Sequence, residues 1–348
     1  MMKNAQASEK GVGGRKRELV ELVITVGGIY GAFLTWAVLQ ERIATTAYGP
    51  DERIFRGSLV INTVQSALAA IVGYIYVVYQ RKTAGEGLHP VFADTATLKG
   101  YATVAVAQSL SSYCAYASLQ YGVDYLTMLL AKSCKLLPLM ALHMTVYRRR
   151  YPFYKYVVVG VITLGVCLFS IYHPSTAKKG GNGEGASFLG ALLLGTNLML
   201  DGFYNSTQDN MFKESKGKIT GPHMMCGLNL VAAVLTTCAL CWKPSEGQLG
   251  EAIDFISQHP RVLGDIVLFG LCGALGQLFI FHALATYGSI VLVTVTVTRK
   301  MFSMLLSVIW FNHTLSHGQW AGVLAVFSGI GAEAYIKHLE KANKLKTN

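Results

Sequence analysis

Two lysines inside an apolar segment are the residues whose chemistry most needs an explanation. Lys132 and Lys135 lie in the run LLAKSCKLLPLM, and Arg299 and Lys300 lie in a second apolar run, TVTVTRKMFSML. The two lysines are three residues apart, so on a helix they share one face. A charged side chain at the centre of a membrane helix costs about 2.5–3.5 kcal/mol on insertion scales. Four such cations therefore need a functional reason.

These four cations are suited to binding an anion with more than one negative charge. Lysine supplies point charges, and arginine supplies a planar fork that matches phosphate oxygens. A pyrophosphate therefore fits better than a single carboxylate. The alternative, that internal carboxylates alone neutralise the cations, stays open. The candidate carboxylates are Glu41, Asp124, Asp201, Asp209 and Glu333.

Other kinds of chemistry lack their motifs in this sequence. There is no G-x-x-x-x-G-K-[ST] loop of the kind that cradles a nucleotide for hydrolysis. No group of His, Cys, Asp and Glu has the spacing of a metal site. We therefore expect no catalytic residue, no metal and no cofactor. A membrane-embedded transferase is an alternative, but it should display an acidic cluster near a membrane face, and the sequence shows none.

Long apolar stretches must position the cations. The chain has 348 residues, of which 52% are hydrophobic and 14% charged, whereas soluble domains carry about 25% charged residues. A helix needs about 20 apolar residues to cross the hydrocarbon core. The stretches of that length are 19–39, 58–80, 101–121, 124–147, 156–173, 186–208, 221–242, 262–285, 287–311 and 317–337. The sequence predicts an all-α polytopic membrane protein with ten transmembrane helices.

The distribution of basic residues predicts the orientation. Nineteen of the thirty Lys and Arg residues fall in the termini and the connections on the same side, and seven fall on the other side. This asymmetry places both termini in the cytosol. The basic tail 1–18 lacks the short apolar core of a removable signal peptide, so the first span should act as the insertion signal. Because these charges set orientation, the net charge of +11 does not indicate a nucleic-acid partner.

The two halves of the chain resemble each other weakly. The segment SLQYGVDYL at 118–126 matches LATYGSIVL at 284–292, and AVLQERI at 37–43 matches NSTQDNM at 205–211, at offsets of 166 and 168. A repeat of five spans enters the membrane from the opposite side, which is the arrangement that many transporters use for alternating access. We therefore expect one domain, 19–338, built from inverted repeats 19–173 and 186–337.

Polar and aromatic residues of neighbouring spans are candidates for lining a cavity. Aromatic faces can stack a nucleobase, and amides can read its polar edge. For each residue taken singly, helix packing is an equally good interpretation. The candidates from the residues themselves include Tyr30, Gln40, Asn205, Asn229 and Gln277.

Six segments together resemble one known family. They are FLTWAVLQE (33–41), DYLTMLLAKSCKLLP (124–138), DGFYNSTQD (201–209), LNL (228–230), LCGALGQLFIF (271–281) and TVTVTRKMFSMLLS (294–307). The chain resembles the nucleotide-sugar transporters of the drug/metabolite transporter superfamily, within subfamily B of solute carrier family 35. The resemblance extends over about 20–338, and the paired AKSCK and TRK motifs make it specific.

The resemblance implies a fold, a function and site residues. It implies ten helices in an inverted five-plus-five repeat that exchange a nucleotide sugar for a nucleoside monophosphate. Its substrates would be UDP-galactose or UDP-glucose, taken into the lumen of the endoplasmic reticulum (ER) or Golgi against UMP, for glycosylation and protein folding there. An ATP/ADP exchanger is the alternative within the family. By similarity, the phosphate anchors would be Lys132, Lys135, Arg299 and Lys300, and further cavity residues would be Glu41, Gln40 and Gln277.

The last residues, 339–348, resemble an ER retrieval signal. Lys346 and Lys344 are third and fifth from the end, which is the pattern of a dilysine motif read by cytosolic coat machinery. The motif requires a cytosolic C-terminus, which the charge count predicts independently. A merely basic tail that orients the last helix is the alternative. A folding scaffold of the lumen is another function that stays open, although it would not need buried cations.

Overall fold

The structure, a computed structural model, describes residues 2–49, 52–84, 91–92, 94–132, 140, 144, 152–172, 183–215, 219–242 and 247–347. Within these ranges the chain is helical, with one isolated β-bridge between Tyr48 and Arg53. The helices are α1 Met2–Thr45, α2 Ser58–Ala84, α3 Thr95–Gln120, α4 Tyr125–Ala131, α5 Phe153–Ile171, α6 Gly183–Glu214, α7 Gly221–Cys241, α8 Gln248–Gln258, α9 Arg261–Trp310 and α10 His317–Thr347.

Large apolar side chains cover the outside of the helices. Ile71, Leu164, Leu268 and Leu324 are exposed, and so many exposed apolar side chains are expected only where lipid is the solvent. In the described part of the chain, four segments are long and apolar enough to cross a membrane: Leu19–Thr45, Ser58–Gln80, Gly221–Cys241 and Arg261–Leu284. The chain is therefore a multi-pass membrane protein, and the number of ten spans stays a prediction.

Helix α9 folds back on itself along α1. A straight helix of its 50 residues would be about 75 Å long. Instead, Phe33 of α1 contacts both Gly276 and Arg299, which are 23 residues apart. Farther along α1, Arg42 reaches Asp265 while Glu41 reaches Ser307. From Phe33 to Arg42 of α1, the number of the contacted residue falls in the first arm of α9. From Phe33 to Glu41, it rises in the second arm. The two arms are therefore antiparallel.

The corresponding region of the first half is interrupted, and its sequence explains the difference. Between α3 and α4 the chain turns at Gly122, whose φ of +90° suits glycine. Asp124 then caps α4, because its Oδ2 accepts a hydrogen bond from the Leu126 N–H at 3.0 Å. At the offset of 166, Ile290 stands where the first half has Asp124, so the second half has no equivalent cap. The chain nevertheless reverses within α9, and its two arms correspond to the predicted spans 262–285 and 287–311.

The main helix contacts follow one pattern. Helix α1 packs on α9 and α6 packs on α3, whereas α2 pairs with α7 and α5 with α10. Helix α2 also packs on α9, and α3 packs on α7. Exchanging the predicted repeats turns each of these contacts into itself or into another contact of the set. The inverted repeat itself stays a prediction.

Helices α5 and α10 cross at a pair of glycines. A Cβ at Gly322 would lie 2.6 Å from the Gly165 carbonyl oxygen, and a Cβ at Gly165 would lie 2.7 Å from the Gly322 carbonyl oxygen. The two backbones therefore touch, as small residues allow in membrane helix packing.

A short helix that the sequence analysis did not assign covers one end of the bundle. Helix α8 lies in the connection 243–261, and its Phe255 ring packs against Tyr48 and Phe55 at centroid distances of 6.0 and 5.3 Å. These rings share a buried cluster with Ile43 of α1 and Ile266 of α9. The cluster joins the ends of α1 and α9 to the connections beside them.

Candidate functional site

The first half of the candidate site is the contact between Arg299 and Phe33. The guanidinium carbon lies 4.3 Å from the ring centroid, where a cation–π interaction contributes about 0.5–2 kcal/mol. The Arg299 Nε is buried and has no hydrogen-bond partner. Among the side chains that the structure describes, no carboxylate forms an ion pair with this guanidinium. The ring therefore holds the charge in place, and the role of Arg299 as a phosphate anchor stays a prediction.

Tyr30 lies beside this contact, three residues earlier on α1. Its hydroxyl forms a hydrogen bond with Thr298 Oγ1, and its ring meets Phe302 edge-on with centroids 5.7 Å apart. The structure thus brings the predicted cavity residue Tyr30 next to the predicted anchor Arg299.

The second half of the candidate site contains Lys132 and Asp201. Lys132 is the residue at which α4 ends, and its side chain is half-buried. Lys132 directly follows Ala131, which shares a buried cluster with Leu194 of α6, and Asp201 lies two turns after Leu194 on the same helix. These two described residues do not form a direct ion pair. The Lys132 ammonium is therefore not occupied by a contact with the Asp201 carboxylate.

Asp201 is fixed by a polar network between α3 and α6. The Ser111 hydroxyl donates to Asp201 Oδ1. Ser111 is held in turn by the Asn197 amide, which donates to its carbonyl oxygen at 2.9 Å. Ser111 and Asn197 are both buried. The position of the carboxylate therefore follows from the packing of two helices.

The two halves of the site occupy equivalent positions of the predicted repeats. Lys132 and Arg299 are 167 residues apart, and Phe33 and Asp201 are 168 apart. Within the predicted repeats, Arg299 contacts Phe33, whereas the position equivalent to Phe33 in the other half is the carboxylate Asp201.

The other two predicted anchors are placed less completely. Lys300 follows Arg299 on α9 and is half-buried. Lys135 lies outside the described residues, so its role as an anchor stays a prediction. The predicted retrieval lysines, Lys344 and Lys346, lie in the last part of α10, where the structure describes the backbone.

Glu41 and Gln40 are buried where α1 meets α4 and the second arm of α9. Glu41 is 1% exposed, and its Oε1 lies 2.7 Å from His313 Nε2 while Ser307 donates to Oε2. The Gln40 Oε1 accepts a hydrogen bond from the Tyr125 hydroxyl at 3.2 Å. In this conformation both side chains are enclosed between helices, and their predicted contact with a substrate stays a prediction.

Two of the remaining cavity candidates form hydrogen bonds within their own helices, and the third is half-buried. The amides of Asn205 and Asn229 donate to the Asp201 and Met225 carbonyl oxygens, one turn earlier on their own helices, at 2.5 and 2.7 Å. Gln277 is half-buried on the first arm of α9. None of these contacts brings the three residues together.

Sequence reasoning missed several members of the site. Ser111 and Asn197 were not singled out, although polar residues inside apolar helices usually need partners in a neighbouring helix. His313 lay just beyond a predicted span and carried no such signal. Phe33 is an apolar residue on an apolar helix, and nothing in its type or spacing indicates a cation partner.

Comparisons with known proteins identify relatives of this chain. The model of the UAA transporter family matches residues 21–337. The chain is 59% identical to the "UDP-galactose transporter homolog 1" of Yarrowia lipolytica, over 92% of this chain and 88% of the relative. It is 44% identical to the protein of that name from Aspergillus fumigatus, over 94% of this chain and 87% of that relative. It is 43% identical to the Schizosaccharomyces pombe protein, over 94% of this chain and 97% of that relative.

The family model covers most of the chain, and the relatives match along nearly their whole length. These names describe transporters, which excludes the transferase alternative. The chain is therefore a multi-pass membrane transporter and belongs to the UAA transporter family.

Proposed function

We propose that this chain is a nucleotide-sugar antiporter of the ER membrane. It moves UDP-galactose, or UDP-glucose, from the cytosol into the lumen in exchange for UMP, and so supplies lumenal glycosylation and protein folding. The three fungal relatives named above are called UDP-galactose transporter homologs, and this supports the choice of substrate.

The observation that carries the proposal is the packing of α4, which ends at Lys132, against the second arm of α9, which bears Arg299. Leu126 and Leu130 of α4 share a buried cluster with Met304 of the second α9 arm. The two cation-bearing elements therefore pack near each other, with Lys132 two residues beyond Leu130 and Arg299 five before Met304. A diphosphate with two negative charges suits a site that presents one cation from each side.

The helix pairing supports alternating access. Each main contact between helices has its counterpart when the two predicted repeats are exchanged. Two structurally equivalent halves can adopt each other's conformation, which converts a site open to one side into a site open to the other. Ten spans in an inverted five-plus-five arrangement, with repeats 19–173 and 186–337, complete the proposal for the fold.

The charges of the site favour exchange over one-way transport. An empty carrier must reorient with its cations exposed to a low dielectric, where uncompensated charge is costly. A nucleoside monophosphate on the return path neutralises the same groups. We expect slow net transport and faster exchange.

The C-terminal segment supports a location in the ER. Lys344 and Lys346 have the spacing of a dilysine signal, which coat machinery reads on the cytosolic side. Replacing both lysines with serine should move the protein to later compartments, as seen by microscopy. Unchanged ER localisation would remove the signal from the proposal.

Counterflow with the purified full chain in liposomes tests the transport proposal. Vesicles loaded with UMP, with ADP or with buffer alone are offered labelled UDP-galactose, UDP-glucose or ATP. We expect uptake of a UDP-sugar that UMP inside the vesicles stimulates. Uptake of ATP driven only by ADP would instead make the chain an adenine-nucleotide exchanger, and equal uptake into empty and UMP-loaded vesicles would contradict obligatory exchange.

A further inference from the structure

We propose that Asp201 is a built-in counter-ion of the transport site, whose charge offsets Lys132 when the carrier is empty and limits how tightly a phosphate is held. The inference rests on the proposed function, because it assigns a role in anion exchange to a residue that does not itself bind phosphate. Asp201 is therefore a positioning residue that acts through Lys132.

The packing of α4 against α6 places the two residues. Met128 and Ala131 of α4 lie in one buried cluster with Leu194 of α6, and Leu198 packs against it. Lys132 directly follows Ala131, and Asp201 lies three residues after Leu198, which is the next position on the same face of α6. This apolar contact places Lys132 and Asp201 on adjoining parts of two packed helices, and the two residues do not form an ion pair.

The carboxylate is held by a group that does not depend on Lys132. Ser111 donates to its Oδ1 from α3. A charge-assisted hydrogen bond of this kind fixes the position of the carboxylate. The negative charge is thus part of the scaffold and stays in place when a ligand occupies the ammonium.

A counter-ion near Lys132 has two effects on the site. It lowers the cost of an uncompensated cation in the empty site, and it lowers the affinity for an incoming anion by a similar amount. A transporter needs both effects, since it must load a substrate and then release it. The opposite half-site stabilises Arg299 with the Phe33 ring, which contributes no negative charge. The release of the anion is therefore governed mainly at the Lys132 half of the site.

Replacing the carboxylate by its neutral isostere tests the inference. In the full chain, Asp201→Asn should bind UMP about tenfold more tightly than the wild type, because a unit charge is removed from a site of low dielectric. In vesicles, its net uptake without internal UMP should fall relative to exchange. Its thermal stability without ligand should fall, and UMP or sulfate should restore it. Unchanged or weaker binding of UMP would overturn the inference.

Two further variants separate the charge from packing. Ser111→Ala keeps the carboxylate but removes a hydrogen bond, so it should lower the Tm without tightening UMP binding; equal tightening would contradict a charge effect. If Asp201→Asn folds poorly, Lys132→Gln/Asp201→Asn should recover the stability of the empty protein. A double variant as unstable as Asp201→Asn would show that Asp201 serves packing alone.

The inference and the proposed function can fail separately. If wild-type vesicles exchange ADP and not UMP, the nucleotide-sugar proposal fails. The same comparison of Asp201→Asn with the wild type, using ADP and sulfate, still decides the role of Asp201.

Discussion

Ser303 and Ser307 lie one turn apart on the second arm of α9, are equally buried, and differ in their hydrogen bonding. The Ser307 hydroxyl donates to the buried Glu41 carboxylate, whereas the Ser303 hydroxyl has no hydrogen-bond partner. The pair therefore provides a matched test of whether the contact between α1 and α9 stabilises the protein through this bond.

Ser307→Ala should destabilise the protein and Ser303→Ala should not. Removing the Ser307 hydroxyl leaves a buried carboxylate oxygen without its donor, which costs about 1–3 kcal/mol. Removing the Ser303 hydroxyl deletes an unpaired buried polar group, so its effect should be neutral or stabilising. Thermal unfolding in detergent measures both variants, and equal values of Tm would contradict the assignment.

Gly322→Ala should disrupt the crossing of α5 and α10. The new methyl group would lie 2.6 Å from the Gly165 carbonyl oxygen, and the clash is with backbone, which cannot rotate away. We expect a loss of about 1–3 kcal/mol from overpacking. Gly331→Ala on the same helix is the control, because a Cβ there has no neighbour within 4 Å. If both variants unfold at the wild-type temperature, the two backbones do not touch in the membrane.

Phe33→Leu should weaken anion binding through Arg299. The substitution removes the aromatic face from beneath the guanidinium and with it about 0.5–2 kcal/mol. The Kd for UMP should rise by about twofold to thirtyfold. Phe33→Tyr keeps an aromatic face and should bind as the wild type does. If leucine and tyrosine give the same Kd, the ring does not hold the cation.

Neutral substitutions of the remaining anchors should abolish exchange and leave insertion intact. We expect this result for Lys135→Gln and for Lys300→Gln, since each removes a charge that the proposed site needs for the phosphates. Lys82→Gln is the control, because Lys82 is exposed at the end of α2. Exchange by correctly inserted Lys135 and Lys300 variants would remove these lysines from the site. Exchange at the full wild-type rate would also favour the scaffold alternative.

Tyr48→Phe should blunt the loss of stability in alkali. Burial, followed by the hydrogen bond that Tyr48 donates to Asp265 at 2.9 Å, raises the pKa of this phenol above its ordinary value of 10.0. The folded protein therefore keeps the proton that the unfolded chain releases, so this stabilisation is complete below pH 10 and declines as the pH rises further. The difference in Tm between wild type and variant should shrink above pH 10. A constant difference across that range would contradict the assignment.

The apolar helices could be predicted from the sequence because their length alone meets the width of a bilayer. The fold-back of α9 could be predicted as two spans, but the residues at which the chain reverses could not, because Ile290 stands where the first half has the capping Asp124. Helix α8 was missed because an amphipathic segment of 11 residues is too short to stand out beside the spans.

The site could be predicted in part. Lys132 and Arg299 stood out because charge is rare in apolar segments, and Asp201 was one of five candidate carboxylates. Choosing Asp201 required the packing of α4 on α6, which a single sequence does not contain. Phe33 could not be chosen either, because many aromatic residues lie on these helices and only the tertiary contact distinguishes one of them.

The fold-back of α9 makes the length of α1 unusually intolerant of change. An inserted residue between Phe33 and Glu41 would turn the rest of α1 by about 100° and would shift it by one position against both arms. Because the arms run in opposite directions, a single compensating insertion in α9 would restore only one of them. Natural insertions and deletions should therefore avoid this stretch of α1 and occur in the connections between helices.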